Sequence, residues 1–323
     1  MKQGGETGTM NTRTLQPVEN AVDTLEATRI LLRDLIDYAG LFPPASFAMQ
    51  AAVANYAAYL RSDYGWMLGR FIVPVGRLGE FEEAIGQLPD AKLQNASHWG
   101  LSALPSADLA ADLARIREFN GRFAASQMQI KVESIEVKIA GAEEIGRLSE
   151  LIPAGLETYF EIPLTANESE CIGAVARCGR RAKVRTGGET ADKFPAAESV
   201  VEFMRLCAVS SVAFKVTAGL HHPIRSRHRL TYQADSPSGV MHGFLNVFLA
   251  AAFLRAGMNV GLALELLNEQ SAAAFRFDSD GILWREHRLG TGDISAARRE
   301  FATSFGSCSF TEPVEDLRAL HLL

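Results

Sequence analysis

The fold this sequence predicts is a (β/α)8 barrel. Beyond residue 18, short β-type runs alternate with helical patterns, as in parallel strands joined by crossover helices. The count of such units reaches eight. A doubly wound open sheet with a small second domain would need a glycine-rich phosphate turn after an early strand, and no GxGxxG occurs. With 323 residues, 47% of them hydrophobic, the chain is long enough for one large barrel domain spanning 19–323.

The opening MKQGGETGTMNTRTLQ is polar and lacks the apolar core of a signal peptide, so residues 1–18 read as a mobile tail. Strand one, or a strand-like turn, is expected at 34–44, halted by Pro43 and Pro44. Ser46 is the expected cap of a helix running to Arg61. Strands two and three are read at 68–75 and 98–105, with helices in GEFEEAIGQL and, capped by Ser106, in SADLAADLARIREFNGRF. Strands four to seven fall at 130–139, 157–164, 181–188 and 211–220, each followed by a helical pattern. The section 221–300 exceeds one crossover. It holds an apolar helix, GFLNVFLAAAFLRAG, a second near ALELLNEQSAAAF, and a hairpin FRFDSDGILWREH turned at Asp280 and Gly281, so it reads as a helix with an insertion. Strand eight is ATSFGSCSF (302–310), and PVEDLRALHLL closes the chain.

Composition narrows the partners. There are 32 Lys and Arg against 38 Asp and Glu, net −6, with the basic residues scattered, which argues against nucleic acid and against an anionic membrane surface. Apolar runs such as 244–254 fall short of the roughly 20 residues that span a bilayer. The four cysteines form no CxxC pair and read as reduced thiols in a cytoplasmic protein. A small-molecule ligand is therefore expected. The helix at 244–254 could pack on the barrel or make a homo-oligomer contact, and its composition fits both.

Barrel strands alternate inward and outward side chains, and barrel enzymes place their chemistry at the C-terminal strand ends. By that rule Glu136 and Lys138 share a face of strand four, Glu161 lies in strand five, Lys183 and Arg185 share a face of strand six, and Lys215 and Thr217 share a face of strand seven. Any one of these charges could be a solvated or structurally paired group, but four consecutive strands carrying them favour a site. Two lysines have a chemical reason to be neighbours. An amine attacks a carbonyl only when neutral, and burial or a second cation disfavours its charged form. Lys183 or Lys215 would then form a Schiff base beside the other, and Glu136 or Glu161 would relay protons. No cofactor is called for.

The segments Lys183-Val184-Arg185-Thr186-Gly187, Phe214-Lys215-Val216-Thr217-Ala218-Gly219 and Phe305-Gly306-Ser307-Cys308-Ser309 resemble, in order, the KTSTG, FKPAGG and FGASS motifs of class I aldolases of the deoxyribose-phosphate aldolase type. The resemblance implies a (β/α)8 Schiff-base lyase with Lys183 as the imine residue and Lys215 as its perturber. Glu136 and Glu161 fall where that family has an aspartate and a glutamate, and Arg185 stands where it has a small hydroxyl residue. The strings KVTAGLHHP and FGSCSFTEP also resemble a group of bacterial proteins, a likeness that implies no particular reaction.

An anionic handle on the carbonyl substrate, phosphate or carboxylate, is expected at the backbone amides of Gly187 and Gly188 and of Gly306 to Ser309, with Gly219, Ser307 and Ser309 among the substrate-binding residues. His222 and His242 are candidates for substrate hydrogen bonds. His221 and His222, as neighbours, would point apart, so at most one enters the site. Asp37 and Tyr38 are candidates for the mouth, and Cys308 reads as a packed thiol. Two other readings use the same residues: a metal-dependent or general-base isomerase or hydrolase, and a non-catalytic metabolite-binding barrel.

Overall fold

The computed structural model describes residues 21–89, 98–124, 128–165 and 167–323, so the expected tail at 1–18 lies outside the described residues. Eight parallel strands close into a barrel: β1 (Ile36–Tyr38), β2 (Leu68–Pro74), β3 (His98–Leu104), β4 (Gln129–Lys138), β5 (Glu157–Glu161), β6 (Arg181–Arg185), β7 (Phe214–Thr217) and, last in the chain, β13 (Ala302–Ser307), which joins β7 to β1. The fold is the predicted (β/α)8 barrel. Helices alternate with the strands: α1 (Ala21–Leu32), α2 (Met49–Leu60), α3 (Leu78–Gly86), α4 (Leu109–Phe123), α5 (Ala142–Leu151), α6 (Glu168–Arg177) and α7 (Ala197–Val209).

Both expected serine caps are corrected. Ser46 sits at φ 47°, outside the helix, which starts after Ala48 without a side-chain cap. Asp108 caps α4 by accepting a hydrogen bond from the Ala111 amide, while Ser106 instead donates its own amide to Asp112.

Between β7 and β13 the chain makes an antiparallel pair, β8 (Ser226–Arg229) and β9 (Ser238–Met241), then α8 (Phe244–Arg255) and α9 (Val260–Asn268). A three-stranded sheet follows, β10 (Phe275–Asp278), β11 (Gly281–Trp284) and β12 (His287–Gly290), and then α10 (Thr291–Glu300). The hairpin turned at Asp280–Gly281 is present, with β12 added to it. The β8–β9 pair has no counterpart in the expected elements, because SRHR is polar and both SRHR and SGVM are only four residues long and show no apolar alternation. The closing helix is α11 (Thr311–Ala319).

Strand alternation decides where the core lies. In β6 and β7 the residues Ala182, Val184, Phe214 and Val216 are fully buried and belong to the apolar core that the strands share with the helices. Their neighbours Lys183 and Lys215, paired in register, face the barrel lumen, where they meet Glu136 of β4. A barrel lumen is ordinarily filled by branched aliphatic side chains. Here its middle is filled by ions, and such an interior holds only if every charge finds a partner. Helix α8 is apolar on all sides and buried along nearly its whole length against the barrel and its flanking helices.

Candidate active site

Five side chains from five strands form a line of alternating charge through the lumen: Asp37, Lys215, Glu136, Lys183 and Glu161. Lys215 Nζ lies 2.5 Å from Asp37 Oδ2 and 2.7 Å from Glu136 Oε1. Lys183 Nζ lies 2.7 Å from Glu136 Oε2 and 2.8 Å from Glu161 Oε2. Glu136 is therefore shared, one oxygen to each lysine. Ser102 Oγ donates to Glu136 Oε1 at 2.8 Å and accepts from Ser134 Oγ at 2.9 Å; Ser304 Oγ donates to Asp37 Oδ2 at 2.7 Å. The backbone amide of Arg70 donates to Asp37 Oδ1, and the Tyr159 ring lies 5.4 Å from Lys215 Nζ. Space for Asp37 depends on Gly69, since a Cβ there would stand 2.4 Å from Asp37 Oδ1.

The electrostatics follow from these contacts. Burial works against the Lys215 ammonium, but Asp37 and Glu136 outweigh it, and the amine is held cationic with its pKa above the ordinary lysine value. Burial likewise works to raise Glu136, and the two lysines override it, holding the carboxyl well below the usual carboxylate range. Glu161 behaves the same way: burial raises it, and Lys183 beside it, helped by Arg185 and Lys138, brings it below its ordinary value. Burial alone would favour loss of the Lys215 proton, as the sequence allows, but two carboxylates reach the amine here.

The two lysines differ in access. A cavity of about 560 Å³ opens at the C-terminal ends of the strands and is lined by Lys183, Glu136, Glu161, Lys138, Arg185 and Thr217, among others. Lys215 lies beneath that lining and is fully buried. Glu161 Oε2 meets Lys183 Nζ at 2.8 Å and has no other hydrogen-bond donor among the described residues. At the rim, Arg185 is half exposed and only loosely engaged with Glu161, at 3.8 Å, while Lys138 and Lys193 line the same cavity with less burial than Lys183.

The other expected site residues divide. Gly188, Gly219 and Gly306 line the cavity. Gly187 does not, because it packs its Cα face against Gly219 and the Phe194 ring. Ser307 and Ser309 shape the turn into α11: the Ser309 amide donates to Ser307 Oγ, and Ser309 Oγ accepts from the Glu312 amide. His242 is corrected to a structural role, its ring held between Arg225 and the Pro195 carbonyl. His222 binds Asp316 at 2.6 Å, stacks on His228 and faces a smaller cavity of about 290 Å³. His221 is the neighbour that enters the mouth. Tyr38 packs among Tyr56, Tyr59 and Phe71, away from the cavity. Asp37, expected at the mouth, instead lies deeper, at the far end of the charged line. Cys308 lines the mouth but is buried, and that burial pushes its thiol pKa up, as befits a packed thiol.

Ser102, Ser304 and Tyr159 are members of the polar lumen that the sequence left unassigned. The spacing Glu157-Tyr159-Glu161 was a readable signal for Tyr159, since all three take the same face; isolated serines give none. Among the described residues no group of three or more His, Cys, Asp or Glu side chains is placed to hold a metal ion, and no helix is long and apolar enough to cross a membrane. No protein-family model matches the chain, and no curated protein matches it.

Proposed function

We propose that this barrel is a class I, Schiff-base lyase of the aldolase kind, acting on a small carbonyl compound that carries a carboxylate or phosphate, with Lys183 as the imine-forming residue. One observation carries the reading: Lys183 presents its amine to the mouth cavity while a second lysine, fully buried, is bonded to the far oxygen of the same carboxylate. Lys215 draws on the charge of Glu136 and so weakens the grip of Glu136 on the Lys183 proton. Glu161, whose Oε2 is 2.8 Å from the amine and which lines the cavity, is the carboxylate through which that proton would pass to the incoming carbonyl. Once formed, the iminium keeps a positive charge at the same nitrogen, so the carboxylates that held the ammonium hold the intermediate without rearrangement. Arg185, Lys138 and Lys193 suit an anionic handle better than the glycine amides do, being charged, nearer to solvent and on the cavity lining.

The test is borohydride reduction in the presence of acetaldehyde, pyruvate or hydroxyacetone, followed by peptide mass spectrometry. An adduct on Lys183 that disappears in Lys183→Ala supports the reading. An unlabelled Lys183 with all three compounds, or labelling that persists on another residue in the variant, refutes it.

A further inference from the structure

We infer that His221, oriented by Glu312, is the group that moves protons at the substrate atoms beyond the imine carbon; this rests on the Schiff-base reading. A retro-aldol step needs proton transfer at two separate places. The first is at the nitrogen and the carbon bonded to it, where Glu136 and Glu161 stand. The second lies two bonds further along, where a β-hydroxyl must lose its proton and the α-carbon must then gain one. Carboxylates held below their ordinary range by lysines are poor bases for an alcohol.

His221 meets the requirement by position. It follows β7 directly, lines the mouth cavity with Lys183, and is the only histidine that lines it among the described residues. Its Nδ1 lies 2.9 Å from Glu312 Oε2. The same oxygen accepts a hydrogen bond from the Tyr232 hydroxyl at 2.9 Å, which fixes Glu312 from its other side. A carboxylate on Nδ1 selects the tautomer with its proton there and leaves Nε2 with its lone pair, the arrangement of a histidine base and its orienting acid. No hydrogen bond to Nε2 is present among the described residues. Glu312 stays ionised beside the ring, because burial works to raise its pKa and the bond with His221 outweighs burial. Glu189 also lines the cavity, but it is an exposed rim carboxylate.

The step balances as follows. Nε2 takes the β-hydroxyl proton; the O–H electron pair becomes the new carbonyl π bond; the Cα–Cβ bond breaks, its pair forming the double bond between Cα and the imine carbon; and the C=N π pair moves to the nitrogen, giving a neutral enamine. Nε2–H then returns the proton to Cα and regenerates the iminium. Water releases the second carbonyl product and restores Lys183.

The test uses the whole protein in D2O with pyruvate, following loss of the methyl proton signal by NMR alongside borohydride trapping. His221→Asn is expected to keep the Lys183 adduct within about twofold while methyl exchange falls on the order of 10²- to 10⁴-fold, with partial rescue by added imidazole. Glu312→Gln, as a positioning variant, is expected to lose about tenfold in maximal exchange rate at unchanged half-saturation, with recovery in Glu312→Asp. Exchange at the wild-type rate in His221→Asn with the adduct intact would overturn the His221 role and leave the Schiff base standing. A wild-type protein that forms no adduct would overturn both.

Discussion

Replacing Lys215 by methionine tests the charged lumen directly. Methionine keeps the length and most of the volume of the side chain, so what is removed is one positive charge with its two short bonds to Asp37 and Glu136. Breaking a buried ion pair from one side leaves an uncompensated charge and costs about 3–5 kcal/mol. For a chain of 323 residues, the unfolding entropy of about 2.1 cal/mol/K per residue makes each kcal/mol worth about 1.5 °C, so the melting temperature at pH 7 should fall by about 4–7 °C. The pH dependence gives the sharper reading. Glu136 has a lowered folded pKa, so its contribution is present above the unfolded value of 4.5 and is lost as pH falls through the folded one. Lys215 has a raised folded pKa, so its contribution is present below the unfolded value of 10.5 and is lost only as pH rises through the folded one. In the variant Glu136 is left with one lysine instead of two, and its protonation in acid relieves part of the defect. The gap between wild type and Lys215→Met should therefore narrow as pH drops below about 4.5, measured by urea unfolding across pH 3.5 to 8. A penalty under about 1 kcal/mol, or one that stays constant with pH, would refute the claim that Lys215 compensates buried carboxylates.

Ser102→Ala removes a hydroxyl that donates to Glu136 and accepts from Ser134, and a hydrogen bond to a buried charge predicts a loss of about 2 kcal/mol in urea unfolding; a loss under about 0.5 would show the bond to be dispensable. Gly219→Ala places a side chain at φ 75° with its Cβ 2.7 Å from the Gly187 Cα, a backbone contact that cannot swing aside, so stability should drop by about 2 kcal/mol or more. Arg185→Met should raise the concentration of pyruvate needed to trap Lys183 by about tenfold while leaving acetaldehyde unchanged; equal effects on both would dismiss Arg185 as the anion contact. His222→Ala should leave Lys183 trapping within about twofold, because its ring serves the contact with Asp316 and the stack on His228.

The barrel was legible because its strands repeat a physical pattern. RAKVR alternates charged with apolar residues, and the side of β6 that carries Lys183 and Arg185 does face the cavity, where Lys183 sits 2.8 Å from Glu161 of β5. The partner of Lys215 was less legible. Asp37 lies in a three-residue strand 178 positions away, too short to show alternation, and its pairing depends on closure between β1 and β13. The histidines were ambiguous for a related reason. Adjacent residues point apart, but which of His221 and His222 enters the mouth is set by where Glu312 and Asp316 of α11 stand, and that contact spans 91 residues or more.

The order of charges in the lumen bears on why Lys215 is buried at all. A single ammonium under the mouth could be neutralised by one carboxylate, and Lys183 with Glu161 would satisfy that arrangement alone. Adding Glu136 beside Lys183 without Lys215 would place two carboxylates on one ammonium and hold its proton firmly, which suits a structural ion pair and opposes an amine that must attack. Lys215 changes the balance by occupying one oxygen of Glu136, and Asp37 in turn keeps Lys215 charged in a place no solvent reaches. The series thus runs from Asp37, bonded to Lys215, Ser304 and the Arg70 amide, to Glu161, whose Oε2 meets Lys183 alone among the described residues. A lumen built for stability alone would have filled this volume with branched aliphatic side chains and avoided the desolvation cost. Lys183 stands at the end of the series that borders the cavity at the C-terminal strand ends, while Asp37 at the other end borders a separate cavity with Arg70, Tyr159 and Arg298.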